Sequence, residues 1–219
     1  MFYKDSKQVY RAPELDSMGW LTHGFGTRRA DVPGIFDNLA TVRQIHSATC
    51  IAAEGRSGVL GPGDALLENT PGAVVAVRTA DCIPIVLVDG RLRAVAAVHA
   101  GWRGTAARIV QRAVEGMCER FGTLPTDVHA AIGPGIGACC YEVGPEVAAQ
   151  FGAQGRTHID LAGANRGQLI EAGVTPGRIY ASNLCTMCLS EDFHSFRRDG
   201  EAAGRQFSFA GIRQALQLS

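Results

Sequence analysis

Cys82 and His99 are the residues here whose chemistry is most readable from their positions. Residues 83–88 form one β-branched apolar run and residues 92–99 another, with Asp89-Gly90 between them. Asp-Gly between two such runs is a strong hairpin signal. Cys82 begins the first arm and His99 ends the second. Antiparallel arms bring those ends side by side, although the two residues are 17 positions apart. A neighbouring thiol and imidazole have two uses. The imidazole can draw off the thiol proton and create a nucleophile. Both groups can instead bind zinc, with a third ligand and one open position. His46, after Val42-Arg43-Gln44-Ile45, is the candidate third ligand, but spacing does not place it. In isolation a Cys and a His at strand ends are often structural. The flanking Gly101-Trp102-Arg103-Gly104 loop favours a site.

The other candidates carry weaker signals. Arginines in glycine-rich loops suit a small anionic ligand, because guanidinium offers paired donors to planar oxyanions. Adjacent cysteines such as Cys139-Cys140 rarely share one tetrahedral site. Cys185-Thr186-Met187-Cys188 is a lone C-x-x-C without a second pair at zinc-finger spacing, which reads as two structural thiols ahead of a metal knuckle or redox pair. Cys50 and Cys118 read as core or helix residues. His23, His129, His158 and His194 have no partner at ligand spacing. Gly133-Pro134-Gly135-Ile136-Gly137 lacks the G-x-G-x-x-G order of a dinucleotide loop, and is expected to bring backbone near the site.

The elements that must position these groups follow from periodicity. Residues 73–77 read as a strand preceding the hairpin. Residues 104–121 read as a helix, with Ile109, Ala113, Val114, Met117 and Phe121 at helical spacing and Gly122 as its stop. Residues 128–132, 179–182 and 206–209 read as strands. Asp160 caps a helix that runs to Ala172, with Gly173 at its end. The N-terminal third, broken by many Gly and Pro, reads as loop-rich. This order predicts an α+β fold in one domain over residues 1–219, and no doubly wound sheet.

Composition bounds the function. The chain has 219 residues, with 46% hydrophobic and 19% charged. Lys plus Arg equals Asp plus Glu at 21 each, so no net positive field exists to hold a nucleic acid. No apolar run is long enough for a spanning helix, and no membrane partner is expected. The seven cysteines and the absence of a leader-like N-terminus point to reduced thiols in the cytoplasm. The oligomeric state is not legible.

Taken together, several segments resemble one family. They are Arg43-Gln44-Ile45-His46-Ser47, Gly63-Asp64-Ala65-Leu66, Thr79-Ala80-Asp81-Cys82-Ile83-Pro84 and His99-Ala100-Gly101-Trp102-Arg103-Gly104-Thr105. Ala131-Ile132-Gly133-Pro134, Cys139-Cys140-Tyr141-Glu142-Val143-Gly144, Asp160-Leu161 and Ala164-Asn165-Arg166 follow. Phe196-Arg197-Arg198-Asp199-Gly200 and Gly204-Arg205-Gln206 complete the order. The pattern resembles the laccase-domain family, also called the YfiH-like or peptidoglycan-editing-factor family, from about His23 onward. The resemblance implies layered helices on mixed β-sheets, the fold shared with the cytotoxic-necrotizing-factor toxins. It implies zinc held by His46, Cys82 and His99, in place of the copper of older family naming. It also implies phosphorolysis of adenosine, inosine and methylthioadenosine, with adenosine deamination alongside. The chain departs from the family between Thr27 and His46, where the usual Gly-Gly turn and longer helical segment are missing. One wall of the pocket is therefore expected to be shortened.

On that reading the partners are a nucleoside and phosphate. Arg28 and Arg103 are expected to hold the phosphate, with Arg43 and Arg197 as second choices, and Asp64 and Asp81 to handle protons. Three other readings compete. A thiol hydrolase or amidase editing peptidoglycan precursors would use Cys82 as nucleophile and His99 as base. A copper polyphenol oxidase needs many His, commonly in His-x-His pairs. This chain has six His and no such pair. A partner-binding protein with a vestigial site would have no use for ligands gathered on one hairpin.

Overall fold

Strands that are apolar on both faces must be covered on both sides, and β-branched runs of that kind dominate the middle of this chain. In the computed structural model, which describes residues 1–214, two mixed sheets pack face to face and helices cover the outer face of one of them. The first sheet contains β1 (Tyr3–Lys4), β2 (Val9–Arg11), β3 (Leu21–Gly26), β4 (Leu39–Arg43), β6 (Gly58–Pro62), β8 (Val74–Thr79) and β15 (Gln206–Ile212). Its order is β1-β2-β3-β15-β8-β4-β6. The second contains β5 (Cys50–Ala52), β7 (Ala65–Glu68), β9 (Ile83–Asp89), β10 (Ala94–Ala100), β11 (Val128–Ile132) and β14 (Ile179–Ala181). Its order is β14-β11-β9-β10-β7-β5. A small ribbon pairs β12 (Glu142–Val143) with β13 (Thr157–His158).

The helices are α1 (Val32–Ile35), α2 (Trp102–Ala106), α3 (Ile109–Phe121), α4 (Pro145–Ala148), α5 (Leu161–Glu171) and α6 (Phe196–Asp199). Period-two alternation sorts the second sheet's side chains between two cores. Ile83, Ile85 and Leu87 of β9 and Ala96 and Val98 of β10 meet Ile109, Ala113 and Met117 of α3 and Leu169 of α5. Val86, Val88, Val95 and Ala97 point the other way, onto Phe25, Val75, Val77 and Ala210 of the first sheet. This is the expected α+β architecture with helices layered on mixed sheets. No helix among the described residues is long and apolar enough to cross a membrane.

Three expectations need correction. The helix expected over residues 104–121 is broken at Arg108, which takes a left-handed conformation (φ 63°), so α2 and α3 are separate. The hairpin's second arm starts at Ala94, because the Asp89 carboxylate accepts the amide hydrogens of Arg91 and Leu92 and widens the turn. The loop-rich N-terminal third supplies β1 to β6. Those strands are short and Gly-broken; pairing with the distant β8 and β15 sustains those of the first sheet, and β5 pairs with β7. Other elements lie as predicted, including the Asp160 cap of α5 and the Gly122 stop of α3.

His23 of β3 is buried and has a structural role, its Nε2 accepting the Ala12 amide hydrogen at 3.1 Å. Burial, together with the Arg11 charge beside it, lowers its pKa to about 4. Asp16 opposes that shift and Arg213 adds to it. The unfolded chain therefore takes up a proton near pH 6.5 that the folded chain refuses until about pH 4, so stability falls as pH drops through that window. His23 should contribute about 2 kcal/mol of stability loss between pH 7 and pH 5. Urea unfolding of His23→Asn should show a correspondingly flatter pH dependence than the parent; an unchanged slope would refute the assignment.

A candidate metal centre at the sheet crossover

The chain crosses from the first sheet to the second three times at one end of the sandwich, once through Asp64 between Pro62 of β6 and Ala65 of β7. It leaves β8 at Thr79 and enters β9 at Ile83, and it leaves β4 at Arg43 and enters β5 at Cys50. Cys82 sits in the crossing from β8 and His46 in the crossing from β4. Both crossings need backbone that L-residues rarely adopt: Asp81 has φ 85° and His46 φ 58°. The hairpin register pairs Pro84 with His99 and Ile83 with Ala100, so His99 comes alongside Cys82 as the sequence predicts. His99 shares the β10 face of Val95 and Ala97, at the end of the space between the sheets.

Asp64 locks these pieces together. It lies just before β7, whose Ala65 pairs with Val98 of β10. Its side chain is fully buried. Its oxygens accept hydrogens from the His46 and Ser47 amides (3.0 and 2.6 Å), the Ser47 hydroxyl (2.8 Å) and His99 Nδ1 (2.9 Å). Its own carbonyl accepts the His99 amide hydrogen at 2.8 Å. Burial alone would raise the Asp64 pKa, but these donors hold it at about 2. With Nδ1 spoken for, His99 presents Nε2 toward Cys82.

One ligand atom from each of His46, Cys82 and His99 lies within 4.8 Å of the others. The two imidazole rings meet edge to face, with centroids 4.9 Å apart. A Cβ on Gly101 would stand 2.9 Å from Cys82 Sγ and 3.3 Å from His46 Cδ2, so the site requires glycine there. Burial pushes the Cys82 thiol up, but hydrogen bonds from His46 and His99 outweigh it and bring the thiol down to about 6. Burial likewise works against protonation of His99, yet Asp64 and Cys82 raise it to about 9. Two imidazoles and an ionisable thiol make a donor set suited to a metal ion such as zinc. Only two of the six His are in it, too few for a multicopper cluster.

The three groups line a cavity of about 770 Å³, a size that fits a small-molecule ligand. Its walls include Arg43, Arg78, Arg197 and Arg205, with Tyr141 and Phe196. The expected second-choice arginines, Arg43 and Arg197, are thus at the cavity. The first choices are not among its lining residues. Arg28 is tied to the Ser190 carbonyl at 2.9 Å, and Arg103 stacks on Trp102 at 4.3 Å, its charge reaching the Tyr141 phenol. Asp81 also lines the cavity, but its two oxygens are held by the Thr186 and Ser195 hydroxyls and the Arg197 amide. The glycine loop brings Ile136 to the cavity, its amide donating to the Asp81 carbonyl at 2.8 Å.

Sequence reading missed Arg78, Arg205 and Tyr141. Arg78 did leave a trace, being the one charged residue in the apolar run of β8. The segment between Thr27 and His46 holds only the four-residue α1 and the strand β4.

Comparison with known proteins agrees with this geometry. The profile of the family described as multi-copper polyphenol oxidoreductase laccase matches residues 27–213. A protein from Deinococcus radiodurans named purine nucleoside phosphorylase is 43% identical over 186 residues, covering 80% of this chain and 71% of the relative. Adenosine deaminase RL5, from an unknown prokaryotic organism, is 40% identical over 195 residues, covering 78% of this chain and 74% of the relative. The crystal structure of YlmD from Geobacillus stearothermophilus superposes with a TM-score of 0.89 at 27% identity, covering 97% of this chain and 99% of that one. The chain belongs to the multi-copper polyphenol oxidoreductase laccase family, in its YfiH-like form.

Proposed function

We propose that this protein is a zinc-dependent purine nucleoside phosphorylase of the cytoplasm, acting on adenosine, inosine and methylthioadenosine, with adenosine deamination in the same cavity. The observation that carries this reading is the convergence of His46, Cys82 and His99 on a cavity lined by four arginines. The relatives named purine nucleoside phosphorylase and adenosine deaminase support it. Seven unpaired cysteines suit a reducing compartment.

In phosphorolysis a phosphate oxygen forms a bond to the anomeric carbon of the ribose, the bond from that carbon to the purine nitrogen breaks, and the base leaves with the electron pair and gains a proton. In deamination water supplies an oxygen to the purine ring and ammonia departs. Zinc bound by His46, Cys82 and His99 would supply Lewis acidity. The remaining tasks fall to the chain's own groups. Arg43 and Arg78 have no side-chain hydrogen bond or ion pair among the described residues, so both guanidinium groups are available to hold phosphate. Gln44 fixes their spacing: its amide donates to the Arg78 carbonyl at 2.7 Å and accepts the Arg78 amide hydrogen at 2.8 Å. Arg197 is partly committed, donating to the Glu142 carbonyl at 2.9 Å. Burial raises the Tyr141 phenol to about 12, so it stays protonated and can donate to a substrate oxygen or nitrogen. Phe196 is half exposed at the cavity and offers a ring face for a purine. Asp64, its oxygens engaged on the protein, acts as a positioning residue.

One observation favours a second reading. Without metal, the lowered Cys82 thiol and raised His99 imidazole form a thiolate–imidazolium pair suited to a thiol hydrolase or amidase. Chelation separates the two. The phosphorylase should carry zinc and release adenine from adenosine only with phosphate, and chelation should abolish that release; activity that survives chelation would shift the assignment to the thiol enzyme.

Cys82→Ala should lose nearly all activity and the zinc of this site; full activity in that variant would sink the assignment. Asp64→Asn should fold yet bind zinc about 10–100-fold more weakly, which competition with a chelating dye would measure; unchanged affinity would remove Asp64 from the ligand support. Arg43→Ala and Arg78→Ala should raise the KM for phosphate about tenfold or more, with a smaller effect on the KM for adenosine. Equal changes in both constants would argue against a phosphate role.

A further inference from the structure

The neighbouring strands β11 and β14 run parallel, pairing Ala130 with Ile179 and Ile132 with Ala181. Chains leaving two parallel neighbours emerge at the same end of the sheet. The loop after β11 carries Cys139 and Cys140, and the loop after β14 carries Cys185 and Cys188. Main-chain hydrogen bonds sew the loops together. The Gly135 amide donates to the Leu184 carbonyl at 3.3 Å, and the Thr186 amide to the Gly135 carbonyl at 3.0 Å. The Cys140 and Tyr141 amides both donate to the Gly137 carbonyl, at 2.9 and 3.0 Å, in a tight turn. That turn brings the sulfurs of two adjacent residues into one group, which adjacent cysteines rarely form.

All four sulfurs lie within 4.8 Å of one another, with Cys140–Cys188 at 3.4 Å and Cys139–Cys188 at 3.8 Å. Zinc–sulfur bonds of about 2.3 Å in a tetrahedron place sulfurs about 3.8 Å apart. The Gly137 amide donates to Cys185 Sγ at 3.3 Å, as a thiolate ligand requires of its surroundings. A Cβ at Gly137 would press on Cys139 Sγ at 3.2 Å and Cys185 Cβ at 3.3 Å, so glycine keeps the centre open. Cys139 and Cys188 are exposed and no disulfide forms.

We propose that Cys139, Cys140, Cys185 and Cys188 form a second metal site, a structural tetrathiolate for zinc that clips together two loops behind the cavity wall. Zinc binding displaces the four thiol protons to solvent. The clip reaches the cavity through three neighbours. Thr186, between two of the ligands, donates to the Asp81 carboxylate at 2.6 Å, and Asp81 precedes Cys82. Tyr141 follows Cys140 and lines the cavity. Arg197 lies over the Tyr141 ring at 5.3 Å and donates to the Glu142 carbonyl. Its four ligands are separate from those of the cavity and belong to other loops than His46, Cys82 and His99.

Elemental analysis of the full chain after zinc loading and removal of free metal tests this. The parent should hold about two zinc per chain, and Cys188→Ser and Cys82→Ser about one each. Cobalt in Cys82→Ser should give the strong visible and charge-transfer absorption of a tetrahedral thiolate site. Equal zinc in the parent and Cys188→Ser would overturn the proposal. Should Cys188→Ser fail to fold, thiol mapping of the parent decides. Zinc loading should slow alkylation of Cys139, Cys140, Cys185 and Cys188 by about tenfold or more relative to the chelated protein, while Cys50 and Cys118 serve as controls. Labelling of the four at unchanged rates, or a native disulfide among them, would refute the site.

Discussion

A carboxylate removed from water must have its charge answered locally, and Asp64 shows how far a fold goes to do so. Its side chain is fully buried, and the neutralising donors come from two backbone amides, a hydroxyl and an imidazole. Hydrogen bonds to a charged group are worth more than neutral ones, and an orphaned buried charge would cost several kcal/mol. The loop at residues 45–47 and the end of β10 therefore have little freedom to separate. His46 is held by its own backbone and His99 by its ring and its amide. The two imidazoles approach each other because the His99 ring and the His46 main chain are bonded to the same buried anion.

The rest of the architecture brings Asp64 to that place. Two sheets face each other, and the site occupies the end where three connections pass from the first to the second. Such ends are open, since strands stop there and the next layer has not begun. A small residue makes room there: Gly101 leaves space for Cys82 Sγ and His46. The cavity then collects arginines from β4, from β8, from α6 and from the residue before β15. Their positive charge faces a centre whose own protein charge is anionic when the thiol ionises. The same electrostatics suit a metal and, without one, a thiolate beside an imidazolium.

How much of this was legible in the sequence depended on the range of the contacts. Cys82 beside His99 is a consequence of one hairpin, so local patterning sufficed, even though the turn is wider than Asp89-Gly90 suggested. His46 was recognisable by type and motif but not by position, because it belongs to another crossing. Only the stacking of two sheets joins them. The N-terminal strands were obscure for the same reason, since short segments such as Leu21–Gly26 are strands by virtue of β15, nearly two hundred residues away. The break at Arg108 had no cue in the helical periodicity on either side. Arg28 and Arg103 lie outside the cavity lining because a glycine-rich setting marks an exposed loop, and Arg103 is indeed exposed, without marking where its side chain turns. Arg78 would have been found by asking why a charge interrupts an apolar strand.

Asp81 ties the remote motifs to the chemistry. A non-glycine residue at φ 85° is strained by roughly 1–3 kcal/mol, and such strain persists only where the surroundings over-determine it. Here three donors from the C-terminal part of the chain, Thr186, Ser195 and the Arg197 amide, converge on one carboxylate. The neighbouring Cys82 is thereby placed by residues more than a hundred positions away. That gives the Phe196 segment, which offers no ligand to the His46, Cys82 and His99 group, its place in the same ordered pattern. The cavity's thiol is held at the right height by a bent backbone, the bend is held by the two C-terminal loops, and one of those loops is anchored to its neighbour at the four-cysteine cluster.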